Sequence, residues 1–440
     1  MDIRLVVFDL DGTLIGAKEH FSSIKQKLKD ELMRRGISQE ILGDLTPMYE
    51  SLLDLSKRTG IPFEELHGVL VSFEKERMKG SFLFEGVTEI LEFLRSRGIK
   101  TAVMTRSSRE AAEVGLKKHG IYGYFDAIVT REDVPPDELK PNPGQLLRVI
   151  TSLGVPPSKT LVVGDHGYDV LAAKAAGSLS VLVTSQEYGR MSFDVPSEPD
   201  FRIERIKQLK ELIKKITNTC VVIPAYNEEK TIKVVISDLL RYFRKDELVV
   251  VNDGSKDRTE DIVRALGVRV LTHLVNRGLG GALGTGLKYA VRRGADLIVT
   301  FDADGQHLVE DAIRVMAPVA EGRADFAVGS RLLGDASQMP SIKKFGNRAL
   351  DFITAIFSRR LVSDTQSGLR CFSRDCASKV EITCDRYAVS SEIIIEVSKA
   401  GCRIAEVPIR AVYTDYSMRK GTNVKEGLRI ALNLIIDILR

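Results

Sequence analysis

The sequence predicts an α/β protein of two domains, and three observations carry that prediction. Two β-branched runs each end in a pair of carboxylates, Leu5–Gly16 (LVVFDLDGTLIG) and Leu297–His307 (LIVTFDADGQH). Around each, short apolar strands alternate with amphipathic helices, the pattern of doubly wound sheets. The length of 440 residues is enough for two or three full cores. The flanking sequences differ, so the two acidic segments are not an internal repeat.

The first series opens with the strand that ends at Asp9-Leu10-Asp11-Gly12-Thr13. Residues 17–85 then read as helices, SSIKQKLKDELMRRG, EILGDLTPMYESLLDLSKRTG and PFEELHGVLVSFEKERMKG. Strands follow at Lys100–Met104, Ala127–Val129, Thr160–Val163 and Ser180–Val183. The segment DFRIERIKQLKELIKKI, 200–216, fits one more short strand and a helix finishing this domain, so the border is expected near Thr217–Thr219. A second series starts at Cys220–Pro224, with strands at Leu248–Asn252, Arg269–Leu271, Leu297–Asp302 and Asp325–Gly329. The expected domains are therefore 1–216, with a helical cap over about 17–85, and 219–440.

Hydrophobic content of 44% and charged content of 28% are those of a soluble globular chain. A net charge of +4 is too small to argue for nucleic acid. The five cysteines lack CxxC spacing, and no histidine follows His307, which argues against a Cys/His zinc site in the C-terminal part. No stretch reaches the ~18–20 apolar residues of a membrane span. With no signal peptide at the start, the expected location is cytoplasmic, with peripheral contact at the membrane face left open.

Residues two apart on an extended chain point the same way, so each acidic pair can address one cation. In the first half, DLDGT is followed by Thr105 at the end of TAVMT, by Lys140 in DELKPNPG, and by Asp165 and Asp169 in VVGDHGYDVLAAKAAG. In this order the set resembles the haloacid-dehalogenase-like phosphatases, and the helical insertion resembles the substrate-selecting cap of their phosphoglycolate-phosphatase-like branch. The resemblance implies a Rossmannoid fold, Mg²⁺ and a phosphomonoester substrate. It makes Asp9 the nucleophile that forms an aspartyl-phosphate and Asp11 the acid/base. Thr105 and Lys140 hold the phosphoryl oxygens, Asp9, Asp11 and Asp165 form the metal site, and Asp169 supports Lys140 or the outer shell of the metal. The chemistry suits these types: phosphoryl transfer is mostly positioning and charge neutralisation, and hard carboxylate oxygens suit Mg²⁺.

The second half contains VVIPAYNEEKTI from Val221, VVVNDGSKDRT from Val249 and the glycine-rich NRGLGGALGTGLKYA from Asn276. DADGQH, VGSR at 328–331 and DTQSGLRCF at 364–372 follow. This ordered set resembles family 2 glycosyltransferases of the A-type fold, most of all the polyprenyl (dolichyl) phosphate sugar synthases. The resemblance implies a UDP- or GDP-hexose donor, inversion at the anomeric carbon, and Mg²⁺ or Mn²⁺ held by Asp302, Asp304 and Gln306. It places Pro224, Ala225, Tyr226, Asn227, Glu228, Asp253 and Arg277 at the nucleotide. A lipid monophosphate is already an anionic nucleophile and needs cationic positioning, for which Arg331, Arg348, Arg419 and Lys420 are the candidates. Glu392 faces either the acceptor or only its own helix start, and His307 reads as either a site residue or a strand-end polar side chain, the second being preferred.

Residues 347–358 (NRALDFITAIFS) and 424–440 (VKEGLRIALNLIIDILR) have apolar residues at helical spacing, which suits core packing, dimerisation or an interfacial helix. The leading expectation is a bifunctional phosphatase and polyprenyl-phosphate glycosyltransferase. Two alternatives stand beside it. In one, the transferase glycosylates a soluble phosphorylated metabolite whose product the phosphatase then dephosphorylates. In the other, the N-terminal domain is a non-catalytic regulatory module.

Overall fold

The computed structural model describes residues 1–184, 197–335, 350–352, 354–383 and 389–410. The chain divides into two compact units. One spans Ile3–Lys210, and the other joins Met1–Asp2 to the chain from Glu211 onward.

In the first unit, strands β1 (Leu5–Phe8), β2 (Ile15–Ala17), β3 (Ser81–Leu83), β4 (Lys100–Met104), β5 (Ala127–Val129), β6 (Thr160–Gly164), β7 (Leu179–Val183) and β8 (Phe201–Ile203) appear in chain order. Six of them form one sheet in the order β5-β4-β1-β6-β7-β8, and every pairing in it is parallel. Strands buried on both faces read as continuous apolar runs, as LVVF does. The helix Gly144–Leu153 lays Leu146, Val149 and Ile150 on Leu5, Val7, Ala102, Met104 and Val162. β1 sits between β4 and β6, and the chain runs outward from it in both directions, so the carboxyl ends of these strands open a crevice.

The insertion folds as helices Phe21–Arg34, Met48–Thr59 and Phe63–Lys79 with a short turn of helix between the first two. Helices of this length are marginal alone. They are held by a separate apolar core that includes Leu28, Leu32, Leu52, Leu55, Leu66 and Leu70, each buried side chain contributing roughly 1.5–3 kcal/mol. The antiparallel ribbon of β2 and β3, which no sequence pattern predicted, frames the insertion where it leaves and rejoins the sheet domain.

The second unit carries β9 (Thr219–Ala225), β10 (Leu248–Asn252), β11 (Arg269–Thr272), β12 (Leu297–Thr300), β13 (Phe326–Asp335), β14 (Arg370–Ser373) and β15 (Ile404–Arg410). Its sheet runs β11-β10-β9-β12-β14-β13-β15. The first four strands are parallel, and β14 is antiparallel to both its neighbours. The strand at Phe326 is longer than expected, ending at Asp335 and not at Gly329. Cys220, Cys371, Cys376 and Cys402 are buried free thiols. Among the described residues, no helix is long and apolar enough to cross a membrane.

Candidate active sites

In the first unit, β4, β1 and β6 deliver their terminal residues side by side. Asp9 follows β1, Thr105 follows β4 and Asp165 follows β6. Lys140 Nζ donates to Asp9 Oδ1 at 2.6 Å, to Asp169 Oδ1 at 2.7 Å and to the Met104 carbonyl at 3.2 Å. Thr13 Oγ1 donates to Asp165 Oδ1 at 3.1 Å. The carboxylates of Asp9, Asp165 and Asp169 are buried, with oxygens within 4.8 Å of one another. Burial, with Asp169 and Asp165 adding like charge, holds the Asp9 carboxyl well above its usual range against the pull of Lys140. Burial and Asp169 push Asp165 up to about 7. Burial opposes the Lys140 ammonium, but Asp169 and Asp9 outweigh it and raise its pKa.

Gly12 has φ +86°, and a Cβ there would lie 2.3 Å from Asp165 Oδ2, so only glycine fits between the two loops. Thr105 is buried; its Oγ1 accepts the Ser107 N–H at 3.0 Å. Asp11 is held differently from Asp9. Its Oδ1 accepts from Arg77 Nη1 of the insertion, and its Oδ2 accepts from Ser107 Oγ at 2.7 Å. Apart from Thr13 and Met104, these groups line one cleft of about 630 Å³ between the sheet and the inserted helices, with Lys25, Met48, Tyr49 and Tyr168 on its walls. Arg77 and Ser107 carry no signal in the sequence, because their partner is remote in the chain. The buried pair of Arg131 with Glu74, at 2.5 and 3.0 Å, likewise joins sheet domain to insertion.

In the second unit, β9, β10 and β12 play the same part. Pro224 and Ala225 end β9, and Tyr226 is exposed beyond them. Asn227 has φ +55°; its N–H donates to Ser255 Oγ at 2.9 Å, and its Oδ1 accepts the Lys256 N–H at 2.8 Å. The Glu228 N–H donates to Thr259 Oγ1 at 2.8 Å. Asp253 caps the helix Gly278–Arg292: its oxygens accept the N–H groups of Arg277 at 2.9 Å and Gly278 at 2.7 Å, and His273 Nδ1 lies at 2.7 Å. The Arg277 side chain is exposed.

Asp302 and Asp304 follow β12. His307 Nε2 is 3.2 Å from Asp302 Oδ2, and Gln306 donates to Asp304 from its backbone at 3.0 Å and its side chain at 2.8 Å. Burial works to raise Asp302, but the His307 hydrogen bond and charge, with Arg370 and Arg331, bring it below the usual carboxylate range. Burial, then the charge of Asp302, pushes Asp304 up to about 6, with Glu228 adding to it. Arg331 is engaged with Asp364, donating from N at 3.0 Å, Nε at 2.7 Å and Nη2 at 2.7 Å. Asp364 and the fully buried Arg370, both within DTQSGLRCF, are further charges of this site. Thr383 N donates to Glu392 at 2.8 Å. Arg348, Arg419, Lys420 and the segment 424–440 lie outside the described residues.

Two carboxylate clusters, each at the strand ends of a sheet switch point, mark a two-enzyme chain of the α/β class. The chain belongs to the haloacid dehalogenase-like hydrolases, matched over residues 6–183, and to glycosyl transferase family 2, matched over residues 220–379. A phosphatase domain of the first type is thus fused to a glycosyltransferase domain of the second. An uncharacterized protein of Methanocaldococcus jannaschii is 47% identical over 49% of this chain and 90% of its own length. The UDP-N-acetylglucosamine–dolichyl-phosphate N-acetylglucosaminyltransferase of Methanococcus voltae is 40% identical over 49% of this chain and 94% of its own. Pyrophosphatase PpaX of Bacillus mycoides is 30% identical over 49% of this chain and 99% of its own.

Proposed function

We propose that residues 1–216 hydrolyse a phosphomonoester through an aspartyl-phosphate on Asp9, and that residues 219–440 transfer a hexose from a nucleotide sugar to polyprenyl phosphate with inversion. For the first activity the observation that carries the reading is Lys140, whose ammonium joins Asp9 to Asp169 at the mouth of three parallel strands. Asp9 attacks phosphorus, and Lys140 with Thr105 orients the phosphoryl oxygens. Asp11 then gives its proton to the leaving oxygen and later takes one from water. The buried oxygens of Asp9 and Asp165 suit Mg²⁺, with Asp11 beside them and Asp169 steering Lys140. Bound there, the ion supplies charge neutralisation between carboxylate and phosphate. Asp11 exchanges its Arg77 contact for the leaving group when substrate enters the cleft. Asp9→Asn is expected to abolish Mg²⁺-dependent hydrolysis of an aryl phosphate while sugar transfer persists; full phosphatase activity in that variant would remove Asp9 as nucleophile.

For the second activity, the likeness to a dolichyl-phosphate N-acetylglucosaminyltransferase carries the choice of acceptor. Asp302, Asp304 and Gln306 are the donor set for Mg²⁺ or Mn²⁺; the paired carboxylates at one strand end, one raised by the other, fit a hard cation. The ion's part is to neutralise the departing diphosphate. The turn Pro224–Glu228 with Asp253 and Arg277 is the candidate nucleotide site, and Arg331, Arg348, Arg419 and Lys420 remain the candidate cations for the acceptor phosphate. Phe352, Ile356 and Leu361 are exposed beside the exposed Arg359 and Arg360, which supports peripheral contact with an anionic membrane. The test is a screen of UDP- and GDP-sugars with and without polyprenyl phosphate. Labelled sugar should enter the organic phase only when the lipid is present, and label confined to an aqueous phosphorylated acceptor would overturn the lipid assignment.

A further inference from the structure

The segment Asp364–Gly368 is tied at four of its five residues to different parts of the transferase unit. Asp364 takes three hydrogen bonds from Arg331. The Thr365 N–H and hydroxyl both donate to Asp351 Oδ1, at 2.9 and 2.7 Å. Gln366 Nε2 donates to Ser391 Oγ at 3.2 Å, and that oxygen also receives the Thr354 hydroxyl at 2.8 Å. The Gly368 carbonyl accepts from Thr300 Oγ1 at 2.7 Å.

Gly368 then meets Asp302. Thr300 pairs with Arg370 across the antiparallel β12–β14 ladder, so continuing the register two residues sets Asp302 opposite Gly368 on one face. A Cβ on Gly368 would lie 1.9 Å from Asp302 Oδ2. Even a methyl group has no room, and the Asp302 carboxylate is held where this backbone permits.

Asp351 anchors the other end. It lies in the helical residues 350–352, is 9% exposed, and its Oδ2 has no hydrogen-bond partner. Among the described residues its engaged oxygen serves only Thr365, which is itself 1% exposed. A buried carboxylate with one employed oxygen is costly for the fold, so its placement is explained by what it holds. Two hydrogen bonds to one residue fix both the backbone and the χ1 of Thr365, and three residues later the chain is in contact with Asp302.

We propose that Asp351 is a positioning residue for Asp302, acting through the segment Asp364–Gly368. The proposal rests on the reading of Asp302 as a holder of the divalent cation at the donor diphosphate.

The test uses the full chain and Mn²⁺ with UDP, following bound Mn²⁺ by electron paramagnetic resonance and folding by thermal circular dichroism. Asp351→Ala should weaken Mn²⁺ binding roughly 10–100-fold, the range for removing a group that orients a metal ligand. Asp351→Asn keeps an oxygen for both Thr365 donors and should bind within about twofold of the parent protein, a rescue that bulk packing alone would not produce. Gly368→Ala should abolish binding, and Thr365→Val should weaken it. A folded Asp351→Ala protein that binds Mn²⁺ normally overturns the proposal, as does an Asn variant no better than the Ala one. If Asp351→Ala is unfolded at the assay temperature, Thr365→Val and Gly368→Ala decide, and normal binding by both overturns the proposal. Asp302→Asn separates the two levels. If it binds Mn²⁺ as the parent does, the reading of Asp302 fails and the proposal falls with it. If it loses Mn²⁺ while the other variants do not, only the proposal fails.

Discussion

Lys140 and Asp9 form a buried ion pair at 2.6 Å, and the same ammonium reaches Asp169 at 2.7 Å. One cation thus offsets two of three crowded carboxylates, which is why the cluster of Asp9, Asp165 and Asp169 is sustainable in the interior. Lys140→Met keeps the bulk of the stem and removes the charge. We expect aryl phosphate hydrolysis to fall by roughly 10²–10³, as for loss of one preorganised electrostatic group. Sugar transfer by the same protein should be unchanged, measured in parallel on one preparation.

The Arg131–Glu74 pair is buried, and Arg131 also lies 3.0 Å from His67 Nε2. Glu74→Gln leaves the buried guanidinium with only the more distant Glu132, at 3.6 Å, as counter-charge and should cost up to about 3 kcal/mol in urea unfolding followed through this domain. Replacing Arg131 by Met in the Gln background should recover part of that loss. An unchanged midpoint for Glu74→Gln would show that the pair contributes nothing to holding the insertion.

Burial raises Asp351 from the ordinary 3.8 to about 6. The folded chain therefore retains this proton where the unfolded chain has lost it. The associated stability is complete below pH 3.8 and is lost as pH rises through about 6. Asparagine carries no such proton. The stability of Asp351→Asn relative to the parent should consequently increase between about pH 4 and pH 7, by up to about 3 kcal/mol. A difference independent of pH, from denaturant melts at several pH values, would contradict the raised pKa.

Phe352 and Ile356 sit one helical turn apart, 68% and 58% exposed, with Leu361 at 89% a few residues on. Sedimentation with anionic liposomes should drop when all three become serine, and the phosphatase activity of the variant should be intact. Arg359→Gln with Arg360→Gln should weaken binding more at low than at high salt, because head-group attraction is screened. Unaltered sedimentation of both variants would place lipid contact elsewhere on the chain. The other candidate membrane helix, 424–440, lies outside the described residues.

Much of the fold was legible because strand and helix periods are local properties. LVVF, TAVM and TLVVG announce buried parallel strands through composition alone, and DLDGT, GDHGYD and DADGQ announce their ends. Candidate-site carboxylates placed at strand ends follow from the same pattern, since a parallel sheet brings those ends together. The antiparallel β14 was not legible, because RCFS is a short apolar stretch like many others and strand direction is set by the connections around it. The division into compact units falls at Lys210–Glu211, within the helix Leu209–Thr217.

By itself the sequence determined which residues carry charge at each strand end, the order of the two enzymes and the presence of a helical insertion. Only the tertiary structure decided which partner each charge meets. Arg77 on Asp11, Asp364 on Arg331, Asp351 on Thr365 and Gly368 against Asp302 each join residues remote in the chain. Periodicity reports the face a residue occupies and not what packs against that face. Pairing across it depends on strand order, register and the direction of helices, which are properties of the assembled core.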